Sequence, residues 1–196
     1  NKSTISSLVD ELLERRLVHE TGINSTGTGR PATLLELNPL AGHIIGVELG
    51  VDFVSVGIAD FLSNLIWLRK EEADPIQGQE IILDQTLRIV KEALGIGRKK
   101  GYRFLGLGLA TPGTVDVKEG VLIFAPNLHW KNVPFRRIFC EGAKLKAIIE
   151  NDANAAAIGE HLFGSARLTN DFIFVFAGVG IGGGLFLNGK LYRGTN

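Results

Sequence analysis

The chain has 196 residues, 45% of them hydrophobic, and its 21 basic side chains balance 21 acidic ones. This length allows one large domain or two smaller ones, and the neutral charge gives no global reason to expect binding to nucleic acid or to a membrane surface. The single cysteine, Cys140, excludes an internal disulfide and a cysteine zinc cluster within these residues, and it is compatible with a reducing cytoplasm. The longest apolar run, residues 172–187, is interrupted by glycines and is shorter than the roughly 20 residues of a membrane helix. Because methionine is absent, we expect the chain to be part of a longer protein.

The first 38 residues predict a helix followed by a hairpin. Apolar residues recur at helical spacing over residues 1–18, which indicates one amphipathic helix. Residues 19–31 are polar and rich in glycine, which is typical of a hairpin tip, and residues 32–37 alternate weakly, as a returning strand does. Asn38-Pro39 then ends the unit. A helix with a two-stranded wing is the second half of a winged helix-turn-helix.

Some side chains of this unit suit contacts with DNA. Short hydroxyl side chains early in a helix allow close approach to a major groove, and a narrow segment with one arginine suits a minor groove. The candidate DNA-binding residues are Lys2, Ser3, Thr4, Ser7 and Arg30. Residues 1–38 nevertheless hold four basic and five acidic side chains, whereas DNA-binding domains are usually basic. A dimerisation or docking module therefore stays an alternative.

The rest of the chain mixes strands and helices, which predicts an α/β fold. Up to residue 110, the predicted elements are strands over residues 43–48, 53–59 and 65–69, a linker over 71–78, a helix over 79–94, a basic loop over 98–103 and a strand over 104–110. After it, they are a turn over 111–114, a hairpin over 115–125, a loop over 126–130, a helix over 135–141, a strand over 147–149, a helix over 153–160, a strand over 172–177, a glycine turn over 178–184 and a strand over 185–187.

Three polar residues stand where the strand at residues 147–149 leads into the next helix. They are Glu150, Asn151 and Asp152. In open α/β sheets, ligands bind at the carboxyl ends of strands, so these side chains are candidates for a binding or catalytic site. Asn151 or Asp152 could equally cap the helix, since both residue types favour that position. The two interpretations are compatible, and this stretch alone does not decide between them.

Residues 44–60 and 172–190 share one pattern. Each range has an apolar strand, a turn that contains glycine and a second apolar strand. Glycine lets backbone amides point inward and lets a phosphate approach closely. Two such hairpins facing each other across a cleft hold the nucleotide in the actin-like ATPase fold. The candidate nucleotide-binding residues are Gly50, Gly178, Gly180, Gly182 and Gly183. A plain hairpin also needs glycine, so each turn alone is a weak signal.

Several motifs, taken in order, resemble the ROK family (repressor, open reading frame, kinase). Residues 15–18, 25–31 and 35–39 resemble its winged-helix half. Four further motifs are similar to its sugar-kinase module: Gly106-Leu-Gly-Leu-Ala-Thr-Pro-Gly113, Ala125-Pro-Asn-Leu-His-Trp130, Glu150-Asn-Asp-Ala-Asn-Ala155 and Gly178-Val-Gly-Ile-Gly-Gly-Gly184. The resemblance covers nearly the whole chain, and the motifs are specific in combination.

The resemblance implies a two-part fold. Residues 1–38 would be the recognition helix and wing of a partial winged helix-turn-helix. Residues 43–158 would be the first lobe of a sugar-binding module with an actin-like, RNase H-like sugar-kinase fold, and residues 159–196 would begin its second lobe. The zinc motif of the family, with its Glu-x-Gly-His sugar ligands, would follow Asn196, so zinc is expected in the longer protein and no metal ligand within these residues.

The resemblance also implies roles for residues of the cleft. Asp152 matches the aspartate that is the general base in ROK sugar kinases, and Asn151 and Gly113 match sugar-binding positions. Asn127 lies in a family motif that lines the same side. The implied partners are operator DNA and a small sugar, with a homodimer as the assembly and no membrane contact. ATP and Mg²⁺ would be required only by a kinase.

Two departures from the kinase pattern argue against use of ATP. Glu48-Leu-Gly-Val-Asp52 stands where family kinases usually carry Asp-x-Gly-Gly-Thr, and Val179 stands where they usually have threonine. A carboxylate about 4 Å from a phosphate oxygen costs roughly 4 kcal/mol per charge pair at an effective dielectric near 20. The leading hypothesis is therefore a sugar-responsive repressor of the xylose-repressor-like branch. The alternatives are an ATP-dependent sugar kinase, of the glucokinase or N-acetyl-hexosamine kinase type, and a sugar-binding module without DNA contact.

Overall fold

The computed structural model describes residues 2–24 and 32–194. Its helices are α1 (Lys2–Glu14), α2 (Gln79–Lys99), α3 (Phe135–Ala143) and α4 (Asp152–Phe163), with 3-10 turns at Pro39–Ala41, Pro75–Gln77 and Pro126–Leu128. Its strands are β1 (Val18–Asn24), β2 (Ala32–Leu37), β3 (His43–Leu49), β4 (Phe53–Ala59), β5 (Leu65–Glu72), β6 (Phe104–Thr111), β7 (Thr114–Asp116), β8 (Val121–Ala125), β9 (Trp130–Val133), β10 (Ala147–Asn151), β11 (Phe172–Ala177), β12 (Ile181–Leu187) and β13 (Lys190–Tyr192). Among these helices, none combines the length and the apolar character that crossing a membrane requires.

The N-terminal unit is α1 followed by the antiparallel pair β1 and β2. The helix ends four residues before the predicted limit, because Arg16 adopts a left-handed conformation at φ 57° and the Leu17 amide donates to the Leu12 carbonyl at 2.9 Å. Residues 19–24 were predicted as part of a hairpin tip, and this was wrong. They belong to β1, whose polar sequence and bulge between Glu20 and Gly22 remove the alternation by which a strand is recognised.

A five-stranded mixed sheet forms the centre of the molecule, in the order β10-β6-β3-β4-β5. Strands β10, β6 and β3 are parallel, and β4 and β5 continue the sheet antiparallel. Alternate residues of β3 are buried, and the same holds in the second half of β6, so one face supplies most of the core. The buried residues of α2 and α3 belong to the same hydrophobic cluster as that face. The carboxyl ends of the three parallel strands thus lie side by side at one end of the sheet, where β10 leads into α4.

Two smaller sheets flank this edge. Strands β7, β8 and β9 form one antiparallel sheet, and β11, β12 and β13 form another, on which α4 packs. Neither β9 nor β13 was predicted, and Trp130, the first residue of β9, was predicted as the end of a loop. Helix α2 continues to Lys99, so Arg98 and Lys99 are helical rather than part of a basic loop. Within this longer helix Gly97 serves packing, since a Cβ there would lie 2.3 Å from the Phe104 ring.

Candidate functional site

A cleft of about 610 Å³ lies at the edge where the parallel strands end. It is bordered by the turn after β3, the end of β10, the turns before β7 and after β8, and the turn between β11 and β12. All four residues predicted to bind sugar line it: Gly113, Asn127, Asn151 and Asp152. Of the five predicted nucleotide-binding glycines, Gly50, Gly178, Gly180 and Gly182 line it and Gly183 does not. The fold therefore brings residues that are distant in sequence to one cavity.

Asn151 is the best-connected residue of the cleft. Its side-chain Oδ1 accepts a hydrogen bond from the Asn154 amide at 3.1 Å, which makes it the N-cap of α4. Its Nδ2 donates to the Gly113 carbonyl at 3.0 Å and to Asp152 Oδ1 at 2.9 Å. Asn151 therefore caps the helix and fixes the strand end against the neighbouring turn, so the capping interpretation is confirmed, and the residue also lines the cleft.

Asp152 begins α4 and faces the cleft. Its Oδ1 accepts from Asn151 Nδ2 and from the Ala153 amide at 2.8 Å. An acidic residue in the first turn also interacts favourably with the helix dipole. These contacts orient the carboxylate, and ionised carboxylates accept hydrogen bonds through both oxygens. The geometry suits acceptance of hydrogen bonds from hydroxyl groups in the cleft.

Gly113 occupies a position that only glycine fills without strain. Its φ is +102°, and a Cβ there would lie 2.3 Å from the Phe124 carbonyl oxygen. Asn127 also lines the cleft, and its Nδ2 would be 3.4 Å from a Cβ at Gly180. Asn127 therefore lies beside the second glycine turn, where the two flanking sheets approach each other.

Two side chains near the first glycine turn, Phe53 and Lys70, were not predicted from the sequence. The Phe53 ring packs against Gly50, where a Cβ would lie 2.5 Å from Phe53 Cε1. The Lys70 ammonium lies 3.7 Å from the centroid of the same ring, within the range of a cation–π interaction. Lys70 comes from β5, and in the sheet it is aligned with Ser55 of β4 and Glu48 of β3. Only the strand register, which is a tertiary property, reveals this alignment.

Glu48 gives this end of the cleft an unusual electrostatic character. Burial raises the pKa of the Glu48 carboxyl above its ordinary value, Lys70 lowers it, and the charge of Asp152 raises it. The net direction is upward, because loss of hydration and a second carboxylate outweigh one ammonium. With Asp52 also lining the cavity, acidic groups outnumber the one lysine there. This charge balance is unfavourable for a triphosphate.

The second glycine turn is shorter than predicted. The Gly178 amide donates to the Gly180 carbonyl at 2.8 Å, and β12 begins directly afterwards at Ile181. Gly182 and Gly183, predicted in the turn, are strand residues paired with Phe176 and Val175. Close approach of α4 accounts for part of this run, because a Cβ at Gly184 would lie 2.4 Å from the Ala157 Cβ. Packing against α4 therefore requires glycine at position 184.

The candidate DNA-binding residues lie apart from the cleft. Lys2, Ser3, Thr4 and Ser7 belong to α1, and Thr4 and Ser7 are exposed. Arg30 lies outside the described residues. Within residues 2–24 and 32–194, no group of three or more His, Cys, Asp or Glu side chains is arranged to hold a metal ion.

Comparison with known proteins identifies relatives of the chain. Residues 44–196 match the ROK family. The putative xylose repressor of Caldicellulosiruptor sp. (strain Rt8B.4) is 36% identical over 195 residues, which cover 100% of this chain and 49% of that protein. The chain thus spans about half the length of the curated relatives it matches.

Two solved structures extend the comparison. A ROK family transcriptional regulator, described as a homolog of the E. coli MLC protein, superposes with a TM-score of 0.80 over 99% of this chain and 49% of that one. At 22% identity, that likeness shows the fold alone. A ROK family glucokinase from Streptomyces griseus, solved with glucose and AMPPNP, is 32% identical with a TM-score of 0.70 and covers 79% of this chain and 47% of its own. The mixed α/β architecture is therefore the sugar-kinase-type fold of these proteins.

Proposed function

The chain belongs to the ROK family, and on that premise we propose that the protein is a sugar-responsive, DNA-binding transcriptional repressor. One observation carries the proposal. The cleft keeps an organised set of hydrogen-bonding groups around Asn151 and Asp152, while the Phe53 ring, with Lys70 over it, packs against the first glycine turn. Such a cleft suits a ligand that has hydroxyl groups and no phosphate.

At the sugar end, Asn151, Asp152, Asn127 and the Gly113 turn supply the contacts. Sugar hydroxyls both donate and accept hydrogen bonds, so a carboxylate beside amide groups is an appropriate set of partners. The side chains of Asn151 and Asp152 are held by the helix start and by the Gly113 carbonyl before any ligand arrives. Little conformational freedom would therefore be lost on binding. The name of the 36% identical relative makes xylose the first sugar to test.

At the DNA end, we assign residues 1–38 to a winged helix-turn-helix, residues 43–158 to the first lobe of the sugar module and residues 159–196 to the start of its second lobe. The order of α1, β1 and β2 supports the first assignment. So does the exposed apolar stripe of α1, formed by Ile5, Leu8 and Leu12, which is the face that such a domain covers with its other helices. Thr4 and Ser7 lie on exposed parts of α1, where DNA can reach them.

A homodimer in the cytoplasm, binding operator DNA, completes the proposal. Dimeric winged or helix-turn-helix proteins read two half-sites at a fixed spacing. Sugar bound in the cleft would change operator affinity only if the sugar binds the free and the DNA-bound forms with different affinities. The sign of that difference determines whether the sugar relieves or strengthens repression.

Operator binding of the intact protein, measured with and without pentoses, hexoses and amino sugars, tests the proposal. We expect one sugar to shift operator affinity, and the Asp152→Asn variant to bind operator normally while responding to that sugar weakly. Lys190→Gln, on an exposed strand away from the cleft lining, is the matched control. Operator affinity that no sugar changes would remove the sensor function.

An ATP-dependent sugar kinase is the second candidate. It is favoured by Asp152, which stands where family kinases carry their general base, and by the 32% identical glucokinase. A base within reach of a sugar hydroxyl is one requirement of phosphoryl transfer, and cations around the phosphates are another. The kinase predicts sugar-dependent release of ADP that Asp152→Asn abolishes. No ADP release across the same panel, with ATP and Mg²⁺ in excess, would exclude it.

A further inference from the structure

The carboxylate of Glu150 lies directly behind the residues that face the cleft. Glu150 is 8% exposed at the end of β10. Its Oε1 accepts hydrogen bonds from the Asn151 amide at 3.0 Å and from Asn154 Nδ2 at 3.2 Å. Asn154 in turn donates its backbone amide to the Asn151 side chain. One buried carboxylate therefore fixes both the backbone of Asn151 and the residue that holds its side chain.

The partner of this carboxylate comes from a different sheet. Arg193 Nη1 lies 2.5 Å from Glu150 Oε2. Arg193 directly follows β13, whose sheet also contains β11 and β12, whereas Glu150 belongs to the central sheet. The Glu150 side chain is 11% exposed and that of Arg193 is 45% exposed. The ion pair thus joins the strand end below the cleft to the sheet that forms its opposite wall.

We propose that Arg193 is a positioning residue for the sugar site, acting on Asn151 through Glu150. This inference rests on the proposed binding of sugar by Asn151 and Asp152. A buried carboxylate that loses its cation is strongly destabilised. Without Arg193, the carboxylate turns toward solvent, and its hydrogen bonds to Asn151 and Asn154 weaken. The effect reaches the cleft without any contact between Arg193 and the ligand.

The same pair makes sugar binding sensitive to the relative position of the two sheets. The sheet that carries Arg193 also carries the second glycine turn, which borders the cleft. A displacement of that sheet lengthens the ion pair and loosens Asn151, and an ordered Asn151 favours the paired arrangement in return. By linkage, a sugar that requires the ordered Asn151 stabilises the arrangement in which Arg193 meets Glu150.

Titration of the intact protein with D-xylose and the other sugars of the panel, by calorimetry, tests the inference. The variants are Arg193→Gln, Arg193→Lys, Glu150→Gln and the Arg193→Gln/Glu150→Gln double variant, with Lys190→Gln as an exposed cation on the same hairpin. Melting temperatures without sugar report on folding separately. Loss of one charge-assisted hydrogen bond corresponds to about a tenfold weaker sugar affinity.

We expect Arg193→Gln to weaken the binding about tenfold, Arg193→Lys to recover most of it, and Lys190→Gln to leave it unchanged. The double variant is expected to bind no more weakly than the weaker single variant, because the two residues act through one interaction. Sugar affinity unchanged in Arg193→Gln, or losses that add in the double variant, would overturn the positioning role and leave the sensor function intact. If the wild-type protein binds none of the sugars, the sensor function itself fails, and the positioning role falls with it.

Discussion

The side chain of Asn151 donates a hydrogen bond to the carbonyl of Gly113 at 3.0 Å, although the two residues are 38 positions apart in the chain. The bond joins the end of β10 to the turn that follows β6. Strands β10 and β6 are parallel neighbours in the central sheet. Each residue is also fixed locally, Asn151 as a helix cap and Gly113 by its positive φ. The polar end of the cleft is therefore built on rigid elements, which is what a selective binding site requires.

Replacing Gly113 by alanine is expected to destabilise the protein. The positive φ costs an L-residue about 1–3 kcal/mol, and a Cβ at this position also overlaps the Phe124 carbonyl, so the free energy of unfolding should fall by at least that amount. Gly46→Ala is the control, because a Cβ there meets no atom within 4 Å and the residue lies in a strand. Urea denaturation measures both variants. Equal stability of the two would contradict the strain assigned to Gly113.

Two substitutions of Asn151 are expected to differ in their effect on stability but not in their effect on sugar affinity. Asn151→Ala removes the cap of α4 and should lower the free energy of unfolding by about 1 kcal/mol. Asn151→Ser keeps a capping oxygen but has no amide to reach the Gly113 carbonyl, so it should be nearly as stable as the wild type. Both variants should bind sugar weakly. Denaturation and calorimetry check the two properties, and a serine variant with wild-type affinity would remove Asn151 from the binding site.

The positions of Asn151 and Asp152 in the cleft can be predicted from local sequence patterns, whereas the electrostatic character of the cleft cannot. An apolar strand that leads into strong helix formers predicted the position of Asn151 and Asp152, because burial and capping act over a few residues. The alignment of Lys70 with Glu48 depends on the register of three strands, which no local pattern specifies. The glycines of β12 were misread for a related reason. Glycine serves a turn and a close helix contact equally well, and only the position of α4 distinguishes them.

Glu48 is expected to make stability fall as pH rises. Its folded-state pKa lies above the ordinary value of 4.5, so the folded protein holds a proton that the unfolded chain releases. Stability is then greatest below the unfolded pKa and is lost as pH rises through the folded pKa. Glu48→Gln should relieve this loss, so its advantage over the wild type should be larger at pH 7 than at pH 4. Denaturation at both pH values measures it, with Asp52→Asn as an exposed control nearby. The reverse order of advantages would show that the Lys70 attraction dominates.

Glu71 is expected to produce the opposite dependence, at acid pH. Hydrogen bonds from Arg88, Gln85 and Arg69 lower the pKa of its carboxyl from 4.5 to about 2, with the Arg88 bond the largest cause. Because Arg88 and Gln85 are on α2 and Glu71 is on β5, this cluster fastens the helix to the edge of the sheet.

The sign follows from the depressed pKa. Stability from this cluster is present above pH 4.5 and is lost as the pH falls through about 2. Since Arg88 and Arg69 are about half exposed, solvent screening limits the contribution to at most about 1 kcal/mol. Glu71→Gln should therefore lower the free energy of unfolding at pH 6 and flatten its decline between pH 4.5 and 2, whereas the exposed neighbour Glu72→Gln should do neither. Denaturation curves across that range decide the matter, and a Glu71→Gln variant that keeps the full acid decline would place its origin in other carboxylates.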